Sequence, residues 1–547
     1  MTASTRPAAD SGPGDDVRPA AAVAGSDPDE PSIDGTTEAR SSARTGLAGL
    51  AGAATNGLFG FLLAVVITRG YGTVGSGAFF AAIGVVTVTA AVCTLGAETG
   101  LIWTLPRRRA GGRGDAARVL PVAFLPPLVA AVIVGLAGVF AADALAPRLL
   151  DEPGAGGTAL IAVSFAAVPL VVAMTLLLAV LRCVRPIRAY VGVQSVLVPV
   201  ARPVLVGAAA VASGGVLVGM TGWLVPAAFA VLVCLTLVAG PLGVGRGATL
   251  RPERAGWSTF WRFALPRAAS AAIDASAVWV GVLLTSVLAG QADAGVFGAV
   301  GRYILAGQLA MQGLRVAVSP QLSRLLGRGE RAAAAAVHRQ LTTWALVLSW
   351  PVYLLLAVFG LAFLQLFGPE FTAGTAAMTV LALAMLVNTG VGNVQSLLLM
   401  GGRSGLHLAA TVAGLLVTVS LGLWLIPEHG VTGAAVAWAA GIATENLTAF
   451  GCARAVVGQP LVDAALLRAA AGVVAGVGIA ALAGVLTGGR GIAGLVSALS
   501  VVAAGCVGML TVPSVRRRIR VTMKQLRGGE GAAPAAVGAA TASMKGR

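Results

Sequence analysis

Long apolar runs separated by short polar stretches make up most of this chain. A helix needs roughly 20 consecutive apolar residues to cross a bilayer, and fourteen runs reach that length. We predict membrane spans at 45–69, 77–103, 119–143, 157–181, 188–212, 217–241, 263–289, 295–318, 341–366, 373–399, 405–426, 432–456, 469–487 and 491–513. The connections between them are too short to form a soluble catalytic domain. The pattern predicts an all-α polytopic membrane protein.

Composition supports this prediction. Hydrophobic residues make up 57% of the chain and charged residues only 11%, whereas a soluble domain carries about 25% charged residues. The net charge of +16 does not indicate nucleic-acid binding, because the arginines form short clusters between spans, where they orient helices and meet anionic lipid. The five cysteines lack metal-binding spacing, so we expect neither a metal site nor a cofactor.

Arginine-rich and acidic connections alternate along the chain, as they must if the fourteen spans are correctly counted. The arginine-rich connections are RRRAGGRGDAAR after span 2, RPIR after span 4, RGATLRPER after span 6, RLLGRGER after span 8 and RRRIR after span 14. The other connections carry Asp151, Glu152, Asp293, Glu370 and Glu428. Since positive charge stays on the cytoplasmic side, we expect a multi-pass membrane protein with both termini in the cytoplasm.

A short internal repeat relates the two halves of the chain. YGTVGSGAFFAAIG follows span 1 and AGQADAGVFGAVG follows span 7, which aligns Gly77-Ala78-Phe79 with Gly295-Val296-Phe297. Six spans separate the two copies, so both halves enter the membrane in the same orientation, as in a parallel repeat. We predict a disordered tail at 1–43, six-helix bundles at 44–241 and 263–457, a linker at 242–262, a helix pair at 458–515 and a tail at 516–547.

Four stretches of the chain resemble bacterial oligosaccharide and polysaccharide flippases of the multidrug, oligosaccharidyl-lipid and polysaccharide exporter superfamily. They are NGLFGFLLAVVITRGYGTVGSGAFFA, DAGVFGAVGRYILAGQLAMQGLRVAVSPQLSRLLGRGE, LFGPEFTAGTAAMTVLALAMLVNTGVGNVQSLLLMGGRSG and LIPEHGVTGAAVAWA. Together they cover about residues 44–460 in order. The resemblance implies two six-helix bundles around a central cavity that opens alternately to either side.

The resemblance also implies a substrate and partners. The implied cargo is an undecaprenyl-pyrophosphate-linked oligosaccharide, moved from the inner to the outer leaflet for cell-surface polysaccharide biosynthesis. Polymerases or glycosyltransferases would then be partners. Lipid II flippases, which are relatives, carry several arginines in their first helices. Spans 1 and 2 here offer only Arg69, which puts lipid II itself in doubt as the substrate.

Polar and charged residues inside the spans are the candidate site, because ionisable groups at bilayer depth are costly and usually face a wet interior. The candidates for binding the headgroup and sugars are Arg202, Arg302, Arg315, Gln308, Gln312, Asn388 and Gln395. Arginine forks suit phosphate oxygens, and amides suit sugar hydroxyls. Asp274 and Glu445 are candidates for a counter-charge that neutralises these arginines or takes up H⁺ or Na⁺ to drive the cycle.

Six of the nine candidates also have a structural interpretation. Arg202 lies between Pro199 and Pro203, so it can satisfy carbonyls freed by a kink. Asp274 can form an ion pair that only stabilises the bundle, and Glu445 can form a local network with Asn446. Helix-to-helix hydrogen bonding is an equal alternative for Asn388 and Gln395 of span 10, and Arg315 can be ordinary positive charge at the membrane surface.

Three other functions compete with a flippase. A cation-coupled multidrug exporter of the same superfamily would share the architecture, but arginines inside the membrane disfavour a cationic drug. A membrane polymerase or ligase would need a sizeable outer loop, and AGQADAG and IPEHG are too short to build an active site, so we do not expect an enzyme. A structural scaffold would explain neither the repeat nor the charges.

Overall fold

The computed structural model describes residues 35–110, 116–151, 154–242, 254–308, 311, 318 and 321–511. Met1–Thr45 and Gly46–Arg547 form separate units, and the features below belong to the second. The first helix begins at Gly35, within the predicted tail 1–43. Residues 1–34 of that tail and the predicted tail 516–547 lie outside the described residues.

The described residues form helices and short connections, without strands. The helices are α1 Gly35–Cys93, α2 Ala97–Ala110, α3 Val119–Phe140, α4 Ala142–Leu149, α5 Gly154–Ala166, α6 Val168–Val184, α7 Ile187–Val191, α8 Val198–Val211, α9 Val216–Leu242, α10 Arg254–Ala289, α11 Gln291–Gly307, α12 Arg331–Leu364, α13 Thr375–Gly390, α14 Val394–Met400, α15 Ser404–Val457, α16 Ala464–Gly488 and α17 Ile492–Thr511. A π-helix at Gly192–Leu197 joins α7 to α8, and a 3₁₀ helix at Pro369–Gly374 precedes α13.

Helical residues occur in all fourteen predicted spans, with 309–310 and 312–317 of span 8 lying outside the described residues, and this confirms a polytopic all-α membrane protein. Within the described part of the chain, nine helices are long and apolar enough to cross a membrane. Helix α1 contains span 1 and the first part of span 2, with a sharp backbone bend at Gly72 between them, and α15 contains spans 11 and 12, with a sharp bend at Gly430. Span 2 is interrupted after Cys93, where Leu95 and Gly96 adopt positive φ angles of 52° and 72°.

The connections between helices fall into two groups, at opposite ends of the bundle. Arg109 Nη1 donates to Val184 O at 3.1 Å, and Arg185 Nε donates to Leu237 O at 2.9 Å; we call this side the arginine-rich end. On the other side, the acidic end, the connections that carry Asp151, Asp293 and Glu370 come together. This grouping agrees with the alternation of charge along the sequence.

The repeat is visible in the backbone. Gly72 has φ 66° and ψ −169°, and Gly290 has φ 91° and ψ 174°. Both values lie in a region that favours glycine. Each glycine precedes its repeat motif, which opens at Gly77 in the first half and Gly295 in the second, by the same number of residues. The two motifs therefore start with the same bend.

The paired glycines also contact each other's motifs. A Cβ on Gly77 would lie 1.8 Å from Gln291 O, and a Cβ on Gly295 would lie 2.2 Å from Thr73 O. Thr73 and Gln291 precede the paired glycines by equal distances, so the same contact is made twice with the partners exchanged. Such reciprocal contacts are typical of a two-fold axis, which supports a parallel repeat.

The hydrophobic core is shared between the halves at the acidic end and divided at the arginine-rich end. Phe80, Phe297 and Phe371 belong to one cluster that joins the halves. Towards the arginine-rich end, a cluster around Leu177 belongs to the first half and a cluster around Leu397 belongs to the second. The halves are therefore sealed together mainly at the acidic end.

Helix α10 is the exception, because it contacts both halves. Near the arginine-rich end, Phe260 packs in the cluster of the first half, and Phe263 stacks on Trp103 of α2 with ring centroids 4.4 Å apart. Towards the acidic end, α10 packs against α11 and α15. It begins at Arg254, within the predicted linker 242–262.

The predicted C-terminal helix pair is α16 and α17, which pack against α12. Phe359 of α12 lies in a cluster with Val477 and Ala498. The connection before α16 is held by Arg339, whose guanidinium lies 3.3 Å from the Asp463 carboxylate. Asp463 also caps α16 by accepting a 2.8 Å hydrogen bond from Leu466 N–H.

Candidate functional site

The structure describes six of the nine predicted site residues with their side chains. These are Arg202, Arg302, Gln308, Asn388, Gln395 and Glu445. Gln312 and Arg315 lie outside the described residues, and Asp274 is described only as a position on helix α10.

Arg202 on α8 is held by a tryptophan of the next helix. Its guanidinium lies 3.9 Å from the Trp223 ring centroid, and its Nε donates to Trp223 O at 3.3 Å. The hydrogen bond therefore goes to α9 and not to a carbonyl freed near Pro199 or Pro203. A cation over an indole face is the most favourable cation–π pair, so this arginine is positioned while its charge remains.

Arg302 on α11 lies between the halves. Its guanidinium is 4.8 Å from the Trp279 ring centroid on α10 and 5.4 Å from the Phe80 ring centroid on α1. A small cavity beside it is lined by Phe297, Trp438 and other residues of α10, α11 and α15. Arg302 thus lies next to the shared core, seven residues after Gly295 on α11.

Neither guanidinium has a carboxylate partner among the described residues. Both are partly buried, and uncompensated positive charge inside a membrane is expensive. Aromatic faces offset part of that cost, but they leave the hydrogen-bond donors of the guanidinium largely unused. Arg202 and Arg302 are therefore suited to an anionic ligand.

Glu445 belongs to a polar cluster within the second half. Its Oε1 accepts hydrogen bonds from Gln395 Nε2 at 2.8 Å and from Thr411 Oγ1 at 3.3 Å. Gly414 lies directly against the Glu445 side chain, since a Cβ there would come within 2.8 Å of it. Asn446 donates instead to Ile442 O. Glu445 and Gln395 were predicted in different roles, and the structure brings them together.

Gln308 and Asn388 form a second polar cluster. The side-chain nitrogen of each lies 3.8 Å from Met385 Sδ. A thioether is a weak acceptor, so both amides keep most of their hydrogen-bond donors and acceptors for other partners. The pair joins α11 to α13, whereas no described contact joins it to Arg202 of the first half.

The acidic end carries polar contacts between the halves that the sequence did not single out as functional. Arg69 of α1 donates from Nε to Leu366 O at 2.8 Å and from Nη2 to Gln365 O at 2.9 Å. These carbonyls follow the last turn of α12, where a cation is favourable. Arg69 therefore ties the first half to the second at the membrane rim.

Asp151 makes a corresponding contact in the other direction. Its Oδ2 accepts a 2.8 Å hydrogen bond from Gln291 N–H, so a carboxylate of the first half caps the first turn of α11 in the second half. The Asp151 carboxylate also lies against Gly290, because a Cβ added to that glycine would come within 2.9 Å of Asp151 Oδ1. Glu370 of the second half lies near Gly72 of the first, with Oε2 at 3.8 Å from an added Cβ. The acids thus follow the repeat symmetry.

Asp293 completes this region, which we call the acidic-end seal and which comprises Arg69, Asp151, Gln291, Asp293 and Glu370. Burial of Asp293 raises the pKa of its carboxyl, and the nearby charge of Asp151 raises that pKa further. The backbone N–H of Val431, which donates to Asp293, acts against this shift. Protonation of Asp293 is therefore easier in this closed arrangement than in water.

The chain has the same fold as several solved transporters. An inward-facing multidrug resistance MATE family transporter of the MOP superfamily superposes with a TM-score of 0.59 and 18% identity, covering 76% of this chain and 96% of that one. The lipid II flippase MurJ in an inward closed conformation gives 0.59 and 11%, covering 83% and 98%. An outward-facing MATE structure gives 0.53 and 17%, covering 80% and 100%.

By sequence alone the chain has no such match. No protein-family model matches it, and no curated protein matches it. The likeness is therefore one of fold, at sequence identities below 20%. The chain is a multi-pass membrane protein with the fold of MOP superfamily transporters and flippases, a fold these neighbours use for transport and not for enzymatic catalysis.

Proposed function

We propose that the protein is a flippase that moves a polyprenyl-pyrophosphate-linked oligosaccharide from the inner to the outer leaflet of a bacterial plasma membrane. The observation that carries the proposal is a pair of arginines, Arg202 and Arg302, which have no carboxylate partner among the described residues and whose guanidinium groups lie against aromatic side chains. A pyrophosphate supplies the missing negative charge. The fold supports transport by alternating access.

The chemistry of the described residues suits this cargo. Guanidinium forks bind phosphate oxygens and stay charged throughout a cycle. Gln308 and Asn388 offer amides whose only described side-chain partner is the weak acceptor Met385, and such groups can meet sugar hydroxyls without selecting one glycan. The headgroup would therefore be held by charge and the glycan by adaptable hydrogen bonds.

The Glu445 cluster is the proposed place for coupling. A carboxylate that already accepts from Gln395 and Thr411 can exchange those bonds for H⁺ or Na⁺, which changes its charge and its partners. Asp274 lies on α10, the helix that contacts both halves, and is the second proposed counter-charge. Changes at either acid would then alter how the halves meet.

The seal and the divided core support a cycle with two open states. The acidic end is closed by reciprocal contacts, while the cores of the two halves separate towards the arginine-rich end. We assign the arginine-rich end to the cytoplasm, because positive charge is retained there. Cargo would enter from the inner leaflet and leave after the acidic-end seal opens; glycosyltransferases and polymerases would act before and after it.

A cation-coupled multidrug exporter is the second candidate, favoured by one observation, the resemblance of the fold to multidrug MATE transporters. Such a cargo is usually cationic, and Arg202 and Arg302 would repel it. A MOP superfamily transporter from Pyrococcus furiosus with the same fold, at a TM-score of 0.52, is itself described as having reversed pocket polarity that suggests a different function. Pocket charge therefore discriminates between the candidates.

A binding experiment tests the proposal. Purified protein is titrated with undecaprenyl pyrophosphate and, separately, with a lipophilic organic cation. Replacing Arg302 with Gln should weaken pyrophosphate binding about tenfold or more, because a hydrogen bond to a charged group contributes about 1.5–3 kcal/mol. Arg148→Gln, at an exposed arginine of α4, should leave the affinity unchanged. Tight binding of the cation, unaffected by Arg302→Gln, would instead support the drug exporter.

A further inference from the structure

An apolar groove lies on the first half, away from the candidate site. Its volume is about 300 Å³. Helix α6 packs against both α3 and α9, and the groove is the space between α3 and α9 above α6. It is lined by Leu120, Pro121, Phe124, Leu177, Val180, Leu235, Val238 and Ala239. Every lining residue is apolar, and none of them belongs to the proposed cargo site.

The groove is recessed and lies near the arginine-rich end. Leu177, Val180 and Val238 form its floor and are 6%, 0% and 5% exposed, whereas Leu235 at its edge is 50% exposed. Leu120 lies in the first turn of α3, Val180 in the last turns of α6, and Ala239 in the last turn of α9. An occupant would therefore lie below the helix surface, at the depth where acyl chains meet headgroups.

Two arginines lie close to residues that line this groove. Arg185 donates from Nε to Leu237 O at 2.9 Å, and Leu237 lies between the groove residues Leu235 and Val238. The two Nη groups of Arg185 make no hydrogen bond among the described residues, and the Arg185 side chain is exposed. Arg118 directly precedes α3. The guanidinium of Arg185 is thus fixed by one nitrogen, with two nitrogens left for a ligand.

We propose that this groove binds one anionic phospholipid of the adjoining leaflet, with an acyl chain between α3 and α9 and the phosphate on Arg185. The recessed apolar floor accounts for the chain, because only hydrocarbon fills such a space without leaving polar groups unpaired. The free fork of Arg185 accounts for the phosphate. Basic residues at a membrane surface attract anionic lipid, and this groove adds a specific place for the chain.

This site is independent of the proposed cargo. It lies outside the bundle interior, and it takes a diacyl lipid with a single phosphate instead of a pyrophosphate glycan. The site would anchor the first half in the leaflet through α6 and α9. If the protein proved to be a drug exporter, the groove and its arginine would still bind the same lipid.

Native mass spectrometry of the full-length protein tests the proposal. The protein in detergent is titrated with phosphatidylglycerol and with phosphatidylcholine of the same chain length. Phosphatidylglycerol should bind at least about fivefold more tightly, the effect expected of one arginine at the surface. Ala239→Phe fills the groove and should remove the tight binding of phosphatidylglycerol. Arg185→Gln should reduce phosphatidylglycerol to the level of phosphatidylcholine.

Two matched variants serve as controls. Arg468 on α16 is also exposed and also bonds a backbone carbonyl through Nε, so Arg468→Gln should leave the lipid preference unchanged. Ala475→Phe adds the same bulk at an exposed position of α16 and should do likewise. Unchanged phosphatidylglycerol binding in Ala239→Phe, or an unchanged preference in the exposed-site variant Arg185→Gln, overturns the proposal. Displacement of phosphatidylglycerol by an equal amount of undecaprenyl phosphate also overturns it.

Discussion

Removing the Asp151 carboxylate should open the acidic-end seal. In the closed structure Asp151 accepts a 2.8 Å hydrogen bond from Gln291 N–H across the two halves. A hydrogen bond to a charged group contributes about 1.5–3 kcal/mol, and we take the lower end because Asp151 is exposed to solvent. A loss of about 1.5 kcal/mol changes the equilibrium between closed and open forms about tenfold. Asp151→Ala should therefore raise the open-to-closed ratio by that factor.

Distance measurement between spin labels detects this change. Labels on Ala212→Cys and Glu428→Cys, both exposed at the acidic end, report on opposite halves once the native cysteines are replaced. Asp151→Ala should increase the long-distance population, whereas Asp143→Ala, at an exposed acid of α4, should not. If Asp151→Ala gives the same distance distribution as the unmodified protein, the carboxylate does not hold the seal and the reasoning is wrong.

Three further predictions concern the contacts between the halves and the C-terminal helices. Gly77→Val places a Cβ 1.8 Å from a carbonyl oxygen of the other half and should abolish transport in proteoliposomes, whereas Gly60→Val, with open space around its Cβ, should retain it. Because the pKa of Asp293 is raised in the closed form, lowering the pH should increase the closed population in the spin-label experiment; Asp293→Asn should remove that dependence. Asp463→Ala removes the cap of α16 and an ion pair, so it should lower the free energy of unfolding by about 1 kcal/mol or more; Asp463→Asn, which can still cap, should lose less in a thermal unfolding assay.

The fold was largely predictable because a helix that crosses a bilayer needs a minimum apolar length and because positive charge collects in the connections on one side of the membrane. Run length and the alternation of arginines were enough to predict a polytopic helical membrane protein. The weak repeat around Gly77 and Gly295 also proved meaningful, because only glycine allows the close reciprocal approach seen there. Bends such as Leu95 were not predictable, since nothing in a long apolar run marks a leucine with positive φ.

The contacts of the candidate site were predictable only in part. A charge inside a span is conspicuous, so Arg202 and Glu445 could be named from the sequence. Their partners could not, because Trp223 and Gln395 lie on other helices and tertiary packing decides which side chains meet. The acidic-end seal was missed for the same reason: Asp151 and Gln291 are 140 residues apart, and an acid in a short connection resembles ordinary solvated charge.

Measuring lipid transport tests the proposed flippase function most directly. Purified protein is placed in liposomes with a fluorescent polyprenyl-pyrophosphate sugar, and dithionite, which quenches only the exposed leaflet, reports how fast the lipid crosses. We expect rapid crossing that is lost in Arg302→Gln and retained in Arg148→Gln. If the lipid-linked sugar does not cross while an organic cation is exported, Arg202 and Arg302 do not bind an anionic cargo and the flippase proposal is wrong.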